Sequence, residues 1–235
     1  MKTNNQYLRM ALSLVRMTVQ VGVMSALFFL LWHYDSLWLN LLWLLLMAVI
    51  AAWELTRRVK LQPKAMLLPL AASMVISVVP IAMIVLWILV REGTPLSARW
   101  LIPVSAVLMA NVLTMGISGL HDYFSYLHTD SLPYYTRLGN GGSRLEALKP
   151  YFVHALTAMA SPAATQLSVV ALFAVPMLLS GMLLGGMSPV AAGIAFVVLV
   201  VAGLLASAFF LLVAVCLSDR RIFDRRGQQR IDINA

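Results

Sequence analysis

Long apolar runs separated by short polar breaks make up most of the chain, and the length of a run decides what kind of helix it predicts. A helix needs about 20 apolar residues to cross a hydrocarbon layer about 30 Å thick. Six runs qualify, at residues 12–32, 37–55, 65–90, 100–120, 155–184 and 189–217. From Ala155 to Leu217 there is no Asp, Glu, Lys, Arg or His. The breaks fall at 33–36, 56–64, 91–99, 121–154 and 185–188, with a tail from residue 218. This pattern predicts an all-α, polytopic membrane protein of six spans, with residues 1–235 as a single transmembrane domain. Its substantial extramembrane pieces are the 121–154 connection and the tail.

The fifth run is longer than one straight crossing and contains Pro162 and Pro176. Proline removes a backbone donor and clashes with the preceding turn, so this run predicts one kinked helix or two half-spans. The stretch "VPMLLSGMLLGGMSPVAAG", residues 175–193, carries a further signal. Gly181 and Gly185 form GxxxG, a spacing that lets two helix backbones approach closely. Gly185-Gly186 followed by Ser188-Pro189 predicts a tight turn, with Pro189 in the first turn of the last helix. The expected product is a hairpin that packs tightly and bends near Pro176.

Composition agrees: 61% of residues are hydrophobic and 11% charged, against about 25% charged in soluble domains. The net charge of +8 is informative through its placement. Lys2, Arg9, Arg16, Arg57, Arg58, Lys60, Lys64, Arg137, Arg144, Lys149 and the arginines at 220, 221, 225, 226 and 230 fall on one side; Arg91 and Arg99 fall on the other. Basic residues gather in cytoplasmic loops, so both termini are expected inside, and the positive charge requires no nucleic-acid partner. Trp32, Tyr34 and Trp38 lie at one external edge, with Trp87 and Trp100 near the next, as interfacial aromatics do. Lys2 and Arg9 precede the first run as in a signal peptide. Trp32, His33 and Tyr34 stand where small cleavage residues belong, which predicts an uncleaved first span. The single Cys216 excludes an intrachain disulfide and a cysteine metal cluster.

Candidate chemistry is sparse. The chain has no GxxxxGK[ST], HExxH or GxSxG motif and no carboxylate pair within a run, so no catalytic residue and no metal site is predicted. Glu54 sits one turn from Arg57 and Arg58, as an interfacial ion pair would. His121, Asp122, His128 and Asp130 match no standard ligand spacing and predict a solvated helix, with His154 hydrogen-bonding at the membrane border. Met177, Met182 and Met187 are five apart, which scatters them around a helix and marks them as packing residues. Gln20, Asn40, Asn111 and Gln166 are polar residues within runs. They are costly in lipid and are expected to face another helix or a cavity. In "GNGGSRLEALKPYF", Ser143 and Glu146 form a capping box that starts a short helix, with Leu145 and Leu148 on one face and Pro150 stopping or bending it. Such a helix can dock a partner or lie on the membrane surface.

These motifs resemble the FetB-like, iron-export type of ABC transporter permease family. The family pattern LPGMMSG…GxxP…A is similar to "VPMLLSGMLLGGMSPVAA", matching at Pro176, Ser180, Gly181, Gly185 or Gly186, Pro189 and Ala192. Its cytoplasmic GATPxxA resembles "GGSRLEA" at Gly141 and Ala147, and Pro162 follows in step. "RMTVQ", "AAWELTRR" and "LIPVSAVLMAN" also fit, so the resemblance spans most of the chain. Departures fall at Arg144, Val153, Thr165, Ser168, Met177 and Phe196.

The resemblance implies a permease subunit in the bacterial inner membrane, without enzymatic activity of its own, exporting a metal ion such as iron. ATP and its hydrolysis belong to a separately encoded ATPase, and a second permease copy completes the pathway. Gly141, Ser143, Arg144, Glu146 and Ala147 are then expected to couple to the ATPase. Pro162, Pro176, Gly181, Gly185 and Pro189 serve packing and hinging, and Gln20, Asn111 and Gln166 are pathway candidates. The alternative is a non-transporting membrane scaffold or assembly factor, which the scarcity of intramembrane polar groups suits.

Overall fold

The computed structural model describes residues 2–90, 94, 96–130, 132–141, 143–165, 167–168 and 179–222; residues 2–11, 63, 64, 144, 145 and 220–222 are described by backbone alone. All regular structure among them is helical. The order is α1 (Lys2–Tyr34), α2 (Leu37–Val59), α3 (Pro63–Leu89), α4 (Ala98–Thr129), α5 (Leu132–Gly139), α6 (Arg144–Thr165) and α7 (Pro189–Ile222), with a further helical stretch at 179–184.

Five stretches are long and apolar enough to span a membrane: Leu12–Tyr34, Leu37–Val59, Ala65–Leu89, Ala98–Thr129 and Pro189–Asp219. The expected span at 155–184 falls partly outside the described residues. Its first residues form the second half of α6, and 179–184 precede the turn into α7.

Two helices run past the expected breaks. The 121–154 connection is mostly helix, because nothing between His121 and Thr129 breaks α4. Tyr123, Phe124 and Leu127 share one face and are all buried there, so core packing carries the helix past the end of its apolar run. The capping-box helix does not end at Pro150 either; α6 continues through Pro150 and Pro162 to Thr165.

α4 is the hub, packing on α2, α3, α6 and α7, while α3 and α7 form the most extensive pair. Glycine allows the closest approaches. A Cβ at Gly116 would lie 2.9 Å from the Phe210 ring, one at Gly119 2.8 Å from Met159, and one at Gly203 2.8 Å from the Asn111 amide. These contacts hold the backbones of α4, α6 and α7 close together. Within α3 the buried hydroxyls of Ser73 and Ser77 donate to the carbonyls of Pro69 and Ser73, both at 2.7 Å, which satisfies them without any partner helix.

α1 stands largely apart. Of its described side chains only Leu31 is buried, against Ala98 and Ile102 of α4. Its far end is held by the turn into α2. The Asp35 carboxylate accepts from the backbone N–H of Ala98 at 2.7 Å and so caps the first turn of α4. Arg99 lies over the rings of Trp32 and Trp100, with its guanidinium carbon 5.5 and 5.2 Å from their centroids.

Candidate functional site

The start of α6 is built from a short turn and one reciprocal cap. Gly141 takes a left-handed φ of 82°, which a side chain would strain. The Ser143 N–H donates to Glu146 Oε2 at 2.9 Å and the Glu146 N–H donates to Ser143 Oγ at 3.3 Å, the reciprocal pairing expected from their spacing. The Ser143 N–H and hydroxyl hold the Glu146 carboxyl below its ordinary range. Ala147 and Leu148 bury the inner face of this first turn, whereas Gly141, Ser143, Glu146 and Lys149 are exposed. Five residues grouped by sequence therefore divide: Gly141, Ser143 and Glu146 present a surface, Ala147 fastens it to the bundle, and the Arg144 side chain lies outside the described residues.

Pro150 fails to end α6 because the carbonyl it strands finds another donor. Without an N–H, Pro150 leaves the Glu146 carbonyl lacking its i+4 partner. Arg137 Nη1 of α5 donates to that oxygen at 3.3 Å. One residue on, the Tyr151 hydroxyl donates to the Asp130 carbonyl at 2.6 Å, tying the end of α4 to α6. Tyr134 of α5 is buried in the same core. α5 and α6 thus form a clamp over the end of α4.

Farther along, His154 Nδ1 pairs with the Asp122 carboxylate of α4. Tyr126 stacks on the His154 ring at 4.7 Å between centroids and contacts Tyr151 at 5.1 Å. His121 and His128 are exposed on α4. Among the described residues no group of three or more His, Cys, Asp and Glu side chains is placed to hold a metal ion.

A polar pair invisible to sequence inspection lies between α4 and α7. The buried Tyr123 hydroxyl donates to Oδ1 of Asp219 at 3.2 Å, and Asp219 is only 7% exposed. The 189–217 apolar run ends two residues before Asp219, which reads as part of a basic tail until α7 is seen to continue.

The hairpin ahead of α7 has the expected turn. Gly185 N–H and Gly186 N–H donate to the Gly181 and Leu183 carbonyls, both at 3.0 Å, Gly186 has φ 88°, and Pro189 opens α7. The described residues show no close contact at the GxxxG pair, and residues 166 and 169–178 lie outside them. A Cβ at Gly181 meets no atom within 4 Å among the described residues, and one at Gly185 meets only the carbonyls of its own last turn. The close contacts sit at Gly116, Gly119 and Gly203 because α4 is the helix surrounded on several sides. Pro162 lies inside α6, and Pro176 lies outside the described residues.

The three pathway candidates are not gathered. Gln20 is exposed on α1, and Gln166 lies outside the described residues. Asn111 donates from Nδ2 to the Val107 carbonyl at 3.0 Å and rests against Gly203. A different surface stands out. The outward face of α6 carries Thr157, Ser161, Thr165 and, beyond it, Ser168, with Ala160 and Ala164 between. Thr157, Thr165 and Ser168 satisfy their hydroxyls on carbonyls of their own helix at 2.6–3.0 Å. The outward faces of α2, α3 and α7 instead show Leu42, Trp53, Leu68, Trp87, Val190 and Leu205.

Residues 4–223 match the family described as "Uncharacterised protein family (UPF0014)", so the chain belongs to that family. Comparison with curated proteins and with solved structures finds no match. The chain is a multi-pass membrane protein of the UPF0014 family.

Proposed function

We propose that this protein is the permease subunit of an ABC transporter in the bacterial inner membrane, with two copies forming the pathway and a separate ATPase supplying ATP hydrolysis. The observation that carries this reading is the outward face of α6. A surface facing hydrocarbon gains nothing from small hydroxylated residues, whereas one facing a second subunit or a water-filled passage uses them for close approach and for polar contact. Thr157, Ser161 and Thr165 recur every four residues, so they form one continuous strip along the helix.

The clamp of α5 and α6 supplies the mechanical half. Gly141, Ser143 and Glu146 expose a capped, stiff helix start, and the strip lies on the same helix. A push by an ATPase at the start of α6 is then carried along the same helix, through Pro150, to the strip. With both termini inside, this helix start faces the cytoplasm, where a nucleotide-driven partner works. The metal cargo, iron or a similar ion, rests on the FetB-like resemblance.

The test is cysteine scanning at 157, 161 and 165 in a Cys216→Ser background, in vesicles carrying the permease and its ATPase. A membrane-impermeant thiol reagent should label at least two of the three positions, at a rate that changes when ATP is added. Labelling only by lipid-soluble reagents, unchanged by ATP, rejects a pathway along α6 and favours the scaffold alternative.

A further inference from the structure

At the junction of α5 and α6 lies an open pocket of about 490 Å³, lined by Arg137, Lys149, Pro150, Val153, His154 and Thr157. Three of these six side chains carry nitrogen donors, and none is a carboxylate. Lys149 forms no ion pair among the described residues. Arg137 is held in place through Nη1 on the Glu146 carbonyl, which leaves its other guanidinium donors for an anion. His154 is oriented by Asp122 through Nδ1 and by the Tyr126 ring stacked on it. The pocket is therefore a cationic recess whose arginine and histidine are both fixed by second partners.

We propose that this recess binds the phosphate of an anionic phospholipid. Its position and its shape both favour a lipid. Tyr126, stacked on His154, adjoins it, and tyrosine rings collect at the headgroup level of a bilayer. Lys149, Val153 and Thr157 follow at four-residue intervals along one face of α6, so the recess runs from a cation into an exposed apolar and hydroxyl track. A headgroup phosphate sits at Arg137 and Lys149 while the start of an acyl chain lies on Val153 and the polar glycerol ester reaches the Thr157 hydroxyl, at the near end of the α6 strip. A free phosphate would use the cations and leave the track empty. Basic recesses between helices at a membrane border are suited to such headgroups. The recess shares Thr157 with the strip on α6, and lipid binding there is read without transport.

The full-length protein, purified in a neutral detergent, is titrated separately with phosphatidylglycerol, phosphatidylcholine and inorganic phosphate, following the thermal midpoint and the lipid retained in native mass spectrometry. Phosphatidylglycerol should raise the midpoint saturably and remain bound; phosphatidylcholine should do neither. Lys149→Gln should weaken the apparent affinity about fivefold, the worth of one cation near an anionic surface. This variant is the decisive one, because Arg137→Gln also removes the bond to the Glu146 carbonyl. Equal responses to the two lipids, or an unchanged affinity in Lys149→Gln, overturns the proposal. Saturation by inorganic phosphate alone overturns the lipid assignment in favour of a soluble anion. Capture of the ATPase by a crosslinker at 149, without any preference for phosphatidylglycerol, overturns it in favour of protein docking.

Discussion

Arg137 donates to the backbone carbonyl of Glu146 at 3.3 Å, the one carbonyl in the first turns of α6 that Pro150 deprives of its helical donor. The bond lets a helix pass through a residue that should stop it. It also fastens α5 to α6 by a contact that neither helix would make alone.

For the stability of the lipid-free protein, Arg137 therefore matters only while Pro150 is present. Arg137→Ala should lower stability by at most about 1 kcal/mol, because the bond is exposed to solvent. In a Pro150→Ala background the amide N–H returns to the carbonyl, and the same arginine substitution should change almost nothing. A double-mutant cycle read by thermal unfolding in neutral detergent measures the difference. Equal losses in the two backgrounds would assign Arg137 another role.

Gly116 is the close contact least able to yield. An added Cβ lies 2.9 Å from Cε1 of Phe210, a fully buried ring, with Leu55 at 3.4 Å behind it. Gly116→Ala should cost about 1–3 kcal/mol through overpacking. Gly119→Ala should cost less, because the atoms it meets belong to the flexible side chain of Met159. Gly181→Ala meets nothing among the described residues and should leave monomer stability unchanged. A loss at Gly181 seen only at concentrations where copies associate would place the GxxxG surface between subunits.

The Tyr123 hydroxyl is bonded to a buried carboxylate. Tyr123→Phe keeps the ring and its packing on Phe124 and removes only that donor. The expected loss is about 1–3 kcal/mol, the range for leaving a buried polar group short of a partner. Thermal midpoints of the two proteins at matched lipid content check this, and identical values would mean that the remaining contacts of Asp219 satisfy it.

Glu146 links the start of α6 to pH. Its carboxyl is held below the ordinary range by Ser143, so the folded form favours the charged state. The stability it contributes is complete above the unfolded carboxylate pKa of about 4.3 and is lost as pH falls through the lower, folded value. Hydrogen exchange at the Ser143 and Glu146 amides should show protection disappearing in that acid range. Glu146→Gln keeps an acceptor for the cap and should abolish the pH step while retaining most of the protection. A step of equal size in the glutamine variant would trace it to another group.

Five of the expected spans, the turn at Gly185-Gly186 and the Ser143–Glu146 cap were legible in the sequence because each is a local matter. A run of apolar residues, a glycine free to take positive φ and a pair three residues apart act through their immediate neighbours in the chain. What lay beyond reading was settled across helices. Asp122 and His154 are 32 positions apart and Tyr123 and Asp219 are 96 apart, and no spacing rule links them. Whether a breaker breaks, or a small residue is approached, depends on what a neighbouring helix brings to it. Pro150 receives Arg137 and is bridged; Gly181 meets nothing among the described residues, and the close approaches seen go to α4, which α2, α3, α6 and α7 surround. Helix existence follows from the solvent that a stretch of chain prefers, whereas helix contacts follow from which surfaces meet, and that is decided only when the whole bundle assembles.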